Sequence, residues 1–149
     1  MTTLIDFYGL PKDFLGIEEL QDIANPQARV RVAQHRFAEE IKHERFLPFF
    51  ALHELEAWVF SHPGTVEDHY ANPFLSDRLQ AVLQEVGAPE QINHGPRTHP
   101  KARLRDIVGS YKETSDGPIL LEKIGIDRIR MACPHFDDWV SKLEGLGEA

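Results

Sequence analysis

The chain has 149 residues, of which 42% are hydrophobic, and its formal net charge is −8. This length and composition predict one folded domain over 1–149 and exclude a disordered chain. The acidic surplus argues against tight, non-specific binding of nucleic acid. It does not exclude a local basic patch. The single cysteine, Cys133, excludes an internal disulfide and predicts a buried structural thiol in a cytoplasmic protein. No apolar run is long enough to span a membrane, and the first residues lack the pattern of a signal peptide.

The first part of the chain predicts two strands joined by a long helix. Residues 2–8 (TTLIDFY) are rich in β-branched and aromatic residues and predict a strand that ends at a Gly-Leu-Pro turn. An Asn-Pro pair then predicts the N-cap and first position of a helix over about 26–44. Residues 46–52 (FLPFFAL) are apolar without alternation, as in a strand that is covered on both faces. The spacing of apolar residues in 53–60 is helical.

The second part of the chain predicts helices only. We therefore expect an α/β fold in which residues 1–62 form a small parallel sheet with its helices and residues 63–149 form a mostly helical half. The four amphipathic patterns that predict helices in this half lie at 75–86, 104–108, 119–124 and 136–146.

Three carboxylates are predicted to lie at the carboxyl edge of the sheet. Asp6 ends the first strand, and Glu54 and Glu56 follow the second. Ligands of parallel α/β sheets gather at this edge, and carboxylate oxygens suit Mg²⁺ or Mn²⁺. The alternative is that Asp6 caps a turn and that both glutamates lie exposed in a first helical turn. Residues two apart share a face in a strand but not in a helix, so the metal site needs extended backbone here.

One stretch of twelve residues carries six basic side chains and no acidic one. It spans a predicted loop and the start of a helix, where backbone N–H groups and basic side chains together favour phosphate. This loop is the predicted site of contact with nucleic acid, and a solvated helix face is the alternative. The six residues are His94, Arg97, His99, Lys101, Arg103 and Arg105.

Histidines suggest two further metal sites. The segment that begins at His53 resembles the HExxH motif of zinc proteases, but Ala57 stands where the second histidine must be, which excludes that motif. His35, Glu39 and His43 recur at four-residue intervals on the predicted long helix. They predict an exposed polar face, with a zinc or other transition-metal site as the alternative.

Four segments, in chain order, carry a resemblance to a known family. They are TTLIDFYGLP, FLPFFALHELEAWVF, INHGPRTHPKAR and IGIDRIRMACPHFDDWVSKL. In these segments the chain resembles a bacterial family described as domain of unknown function 4276, which is thought to be related to the Toprim fold of topoisomerases, primases and OLD-type nucleases. The resemblance covers essentially the whole chain.

The resemblance implies a metal-dependent site. Toprim-like proteins bind Mg²⁺ through a glutamate after their first strand and an acidic motif after a later one. Asp6 corresponds to the first acid of that later motif, whose second acidic position is Tyr8 here, and Glu54 and Glu56 correspond to an HExEA segment of the family. The resemblance thus implies Asp6, Glu54 and Glu56 as ligands of Mg²⁺ or Mn²⁺, with Asp6 and Glu54 catalytic. The residues expected to hold the phosphate are Arg97, Lys101 and Arg103.

The resemblance also implies that the chain is incomplete. Family members typically begin with a segment like VEGxTE before the equivalent of TTLIDFY, and nothing of that kind precedes Met1, so the chain resembles a C-terminal portion. One hypothesis is an incomplete Toprim-like, nuclease-like domain that processes phosphodiesters. The other is a non-catalytic protein-interaction domain that works in a defence system with an ATPase. A sheet edge left exposed by a missing strand predicts a homodimer.

Overall fold

The structure is a computed structural model that describes residues 1–93 and 95–147, so His94 of the basic stretch lies outside the described residues. The chain divides into two compact units. The first comprises Met1–Leu52 with Ser141–Ala149, and the second comprises His53–Val140. The single domain expected over 1–149 stays a prediction.

The first unit contains a pair of short parallel strands, β1 (Ile5–Asp6) and β2 (Phe50–Ala51). Ile5 is opposite Phe50 and Asp6 is opposite Ala51, so the predicted parallel pair is confirmed. β1 is shorter than predicted because the chain turns into a 3₁₀ helix directly after Asp6. The Asp6 carboxylate accepts the backbone N–H of Tyr8 at 3.0 Å, which is the turn cap expected as the alternative role of this residue.

Helix α1 (Pro26–Ile41) connects the two strands. Its N-terminus is the predicted one: the Asn25 side chain accepts the backbone N–H groups of Gln27 at 2.9 Å and Ala28 at 3.1 Å. Such a cap contributes about 1 kcal/mol. The helix ends about three residues earlier than predicted, because Lys42 adopts a left-handed conformation with φ of 51°.

The core of the first unit lies between α1, the strands and an irregular 3₁₀ segment at Phe14–Asp22. The buried face of α1 contains Val30 and Ala33, whereas the apolar Ile41 at the end of the helix is exposed. Strand β2 contributes Phe50, which is fully buried. The buried apolar residues that form this core are Phe7, Ile17, Leu20, Val30, Ala33, Phe50 and Leu52.

The second unit is helical in its described residues, and the predicted helices in this half of the chain are confirmed. Two short helices, over 63–70 and 126–132, had not been predicted. The helices are α2 (Glu56–Val59), α3 (Pro63–Tyr70), α4 (Leu75–Val86), α5 (Pro100–Val108), α6 (Asp116–Ile124), α7 (Ile126–Ala132) and α8 (Pro134–Gly147), of which the last runs past the end of this unit.

These helices surround a core built mainly from α2 to α6. None of the helices in the described part of the chain combines the length and the apolar character that a membrane crossing needs. The fully buried apolar side chains of this core are Val59, Phe60, Val66, Leu79, Ile92, Leu104 and Leu120.

Candidate functional site

Glu54 lies at the N-terminus of α5, inside the second unit. Its Oε2 accepts a hydrogen bond from the Lys101 backbone N–H at 3.1 Å and lies 2.9 Å from Nδ1 of His99. Because a carboxylate only accepts, the His99 ring carries its proton on Nδ1. Burial alone would raise the pKa of Glu54, but the hydrogen bonds from His99 and Lys101 and their charges outweigh it, so this pKa is lowered. Glu54 is therefore an ionised side chain in a fixed orientation.

Glu56 is the first residue of α2 and is buried, so the predicted alternative of an exposed glutamate does not apply to it. The hydroxyl of Tyr111 donates to Glu56 Oε1 at 3.3 Å. Burial raises the pKa of Glu56 above its usual value, and the negative charge of Glu54 acts in the same direction. The two glutamates thus have pKa values shifted in opposite directions.

Lys101 forms ion pairs with two glutamates, Glu54 and Glu113. Its Nζ lies 3.4 Å from Oε1 of Glu54 and 3.1 Å from Oε2 of Glu113. Burial would lower the pKa of Lys101, but the hydrogen bond to Glu113 and the charges of Glu54 and Glu56 outweigh it, so this pKa is raised. Glu113 is also paired with Arg105 at 3.2 Å. Lys101 is therefore a protonated ammonium held among carboxylates.

The other predicted phosphate ligands have different surroundings. Arg103 makes a two-pronged ion pair with Glu85, with N–O distances of 3.0 and 2.9 Å, and its Nε donates to the Thr98 carbonyl at 3.0 Å. Arg97 is exposed. Its loop is tightly turned, since the Asn93 side chain accepts both the Gly95 backbone N–H and the Thr98 hydroxyl. Both arginines stay predicted phosphate ligands.

The second unit thus pairs Glu54 with Lys101. Glu56 follows Leu55, which has helical backbone angles, so the extended backbone that the metal site was expected to need is absent, and Glu56 has no ion pair among the described residues. Asp6, the third predicted ligand, belongs to the first unit, where its carboxylate caps the turn at Tyr8. The sequence interpretation did not include Glu113 and Tyr111 in the site, because nothing in their local pattern marks residues that lie more than 50 positions from the glutamates. His99 was part of the basic stretch, but its carboxylate partner was not predicted.

A family model described as a domain of unknown function, DUF4276, matches residues 1–144. The chain belongs to the DUF4276 family. This confirms the family that the four sequence segments indicated. No curated protein and no solved structure matches the chain.

The donor set of this DUF4276 domain has the chemistry that Mg²⁺ or Mn²⁺ prefers. Within residues 1–93 and 95–147, no three His, Cys, Asp or Glu side chains are grouped to hold a metal ion. Mg²⁺, however, commonly binds through one or two carboxylates and keeps several waters. Glu54 supplies one such carboxylate, and its Oε1 lies 3.4 Å from a cation, the Lys101 ammonium. The residues present therefore fit a Mg²⁺ or Mn²⁺ ion that binds through Glu54 and keeps most of its waters.

The remaining predicted sites of the DUF4276 domain have simple structural roles. His35 and Glu39 form an exposed pair at 3.4 Å on α1. Cys133 is buried beside Ser61, with 3.5 Å between Sγ and Oγ, and burial raises the pKa of its thiol to about 12. The prediction of a buried structural thiol is confirmed, since a thiol with this pKa stays protonated and is a poor nucleophile.

The burial of Glu56 predicts a pH dependence of stability. Its raised pKa means that the native state binds the proton more tightly than the unfolded chain, in which a glutamate has a pKa of about 4.3. The stabilisation is complete below the unfolded-state pKa and is lost as the pH rises through the native pKa. We expect the unfolding free energy of wild type minus that of Glu56→Gln, measured by urea denaturation, to fall as the pH rises above the unfolded-state pKa of about 4.3. Glu122→Gln, at an exposed glutamate of the same unit, is the control, and an equal fall with this control would contradict the prediction.

Proposed function

We propose that this DUF4276 domain is a Toprim-like, Mg²⁺- or Mn²⁺-dependent domain that processes phosphodiesters. Its metal-binding carboxylates are Glu54 and Glu56, and Asp6 is a further ligand implied by the family resemblance. The observation that carries the proposal is the position of Glu54, whose Oε1 lies 3.4 Å from a cation, the Lys101 ammonium. A bound divalent ion would supply a Lewis acid for the phosphodiester and an activated water.

The surroundings of Glu54 support a role as a ligand. The His99 ring and the Lys101 backbone N–H fix Oε2, which leaves Oε1 for a cation. Hydrogen bonds of this kind hold metal-binding carboxylates in position. The lowered pKa keeps Glu54 ionised at neutral pH, so no proton has to leave before a cation binds.

Isothermal titration calorimetry with Mn²⁺ tests the proposal. We expect wild type to bind, and Glu54→Gln to weaken binding by at least about 10-fold, because an amide oxygen lacks the negative charge. Glu85→Gln is the matched control: it removes a glutamate that pairs with the same helix through Arg103 but does not contact Lys101 in the described structure. Asp6→Asn tests the third predicted ligand. Absence of binding by wild type, or equal binding by Glu54→Gln and wild type, would refute the metal site.

A non-catalytic interaction domain is the second candidate. It is favoured by the pairing of the basic stretch, since Lys101, Arg103 and Arg105 are each bound to a glutamate, and a paired cation has less affinity for phosphate. In this case the partner is a protein, such as the ATPase implied by the family resemblance. Fluorescence anisotropy with labelled single-stranded DNA, with and without Mn²⁺, distinguishes the two: binding favours a phosphodiester substrate, and no binding favours a protein partner.

A further inference from the structure

Lys101 lies beside Glu54, a carboxylate of the proposed metal site. What this position implies for metal binding rests on the proposed function. Oε2 of Glu54 already accepts the Lys101 backbone N–H and faces the protonated Nδ1 of His99, so Oε1 is the oxygen left for a cation. The Lys101 ammonium lies 3.4 Å from that oxygen. Two cations cannot share it at close range without strong repulsion, because Glu54 and Lys101 are both about three-quarters shielded from water and the charges are poorly screened.

We propose that Lys101 is the resident counter-cation of the glutamate site and that a divalent ion binds by displacing its ammonium from Glu54. Lys101 therefore competes with the metal before it can contact a phosphate. In the metal-free protein it neutralises the Glu54 carboxylate, whose Oε1 lies 3.4 Å from its Nζ.

Glu113 gives the displaced ammonium a place to go. Its Oε2 is 3.1 Å from Lys101 Nζ, closer than Glu54 Oε1, so Lys101 keeps one salt bridge when it leaves Glu54. The flexible four-carbon stem of lysine allows this shift without a change in the backbone of α5. After the exchange, Glu54 is free to bind the metal and Glu113 retains the lysine.

Three variants test the proposal by Mn²⁺ calorimetry. Lys101→Met removes the charge and keeps an apolar stem, and we expect it to bind Mn²⁺ at least about 10-fold more tightly than wild type, since a competing charge is gone. Lys101→Arg keeps the charge and is expected to bind with an affinity close to that of wild type. Arg105→Met is the matched control, because Arg105 pairs with the same Glu113 but not with Glu54; it is expected to change affinity by less than about 3-fold.

Each result supports or overturns the counter-cation role. Equal or weaker binding by Lys101→Met than by wild type overturns it, as does a gain of equal size in Arg105→Met. Binding by Lys101→Met without any binding by wild type supports the role of Lys101 while refuting metal binding by the native chain, and no binding by either protein refutes both.

A measurement on the unmodified side chain guards against a variant that does not fold. In ¹⁵N-labelled wild type, the Nζ resonance of Lys101 is expected to shift as Mg²⁺ is added, while the Nζ resonance of Lys112 is expected to stay in place because its side chain is not part of the site. A Lys101 resonance that does not move while Mg²⁺ binds would overturn the displacement.

Discussion

Replacing Phe50 by alanine is expected to lower the free energy of unfolding by about 3–5 kcal/mol, since it removes a fully buried ring from a packed core. The Phe50 ring is stacked on Phe37, with centroids 5.7 Å apart and an interplanar angle of 12°. It also meets the rings of Phe14 and Phe7 at centroid distances of 6.1 and 6.3 Å. No small shift of one neighbour refills a space bordered by three rings. Urea denaturation followed by circular dichroism measures the loss.

Phe74→Ala is the matched control for Phe50→Ala, because the Phe74 side chain is 73% exposed. Its removal is expected to change stability by no more than about 0.5 kcal/mol. Similar losses in the two variants would contradict the position of Phe50 at the centre of the first unit's core. Phe50→Leu is expected to fall between them, since leucine fills part of the space.

Replacing Glu90 by alanine is expected to cost about 2–3 kcal/mol, because it leaves one buried and one half-buried backbone donor without an acceptor. Glu90 is 3% exposed and accepts two N–H groups in the first turn of α8: that of His135 to Oε2 at 2.9 Å and that of Phe136 to Oε1 at 3.0 Å. Burial raises the pKa of Glu90, although these two hydrogen bonds act against the rise. The carboxylate thus caps a helix that lies more than 40 residues further along the chain.

Glu90→Gln separates the lost acceptors from the lost volume. An amide has one acceptor oxygen, and its NH₂ group would face the second N–H. We therefore expect the free energy of unfolding of Glu90→Gln to lie between those of wild type and Glu90→Ala. Glu122→Ala, at an exposed glutamate, is the control for removal of one carboxylate. If Glu90→Ala proved no less stable than Glu122→Ala, α8 would not depend on this cap. Thermal and urea unfolding provide the comparison.

The elements that local sequence predicted well are those with local causes. Asn25 and the proline after it define the start of α1 through contacts within three residues, and the periodic apolar residues of α4, α5, α6 and α8 mark their buried faces. Helix α3 was missed even though it has a comparable N-terminus: the His62 ring accepts the N–H of Thr65, and Pro63 occupies the first position. Its eight residues are too few to show a clear period. Helix α7 follows Gly125 directly and was hidden for the same reason.

The sequence by itself determined the family, the parallel pair of strands although not their short length, most of the helices and the segments that carry the candidate carboxylates. Only the tertiary structure decided the charge environment of these groups. The stretch that holds Lys101 and Arg103 contains no acidic residue, yet the fold supplies Glu54, Glu85 and Glu113 from other segments to pair with it. Electrostatic attraction depends on distance in space and on burial, and neither is encoded in the spacing of residues along the chain. A basic stretch in the sequence therefore became a network of ion pairs in the folded protein.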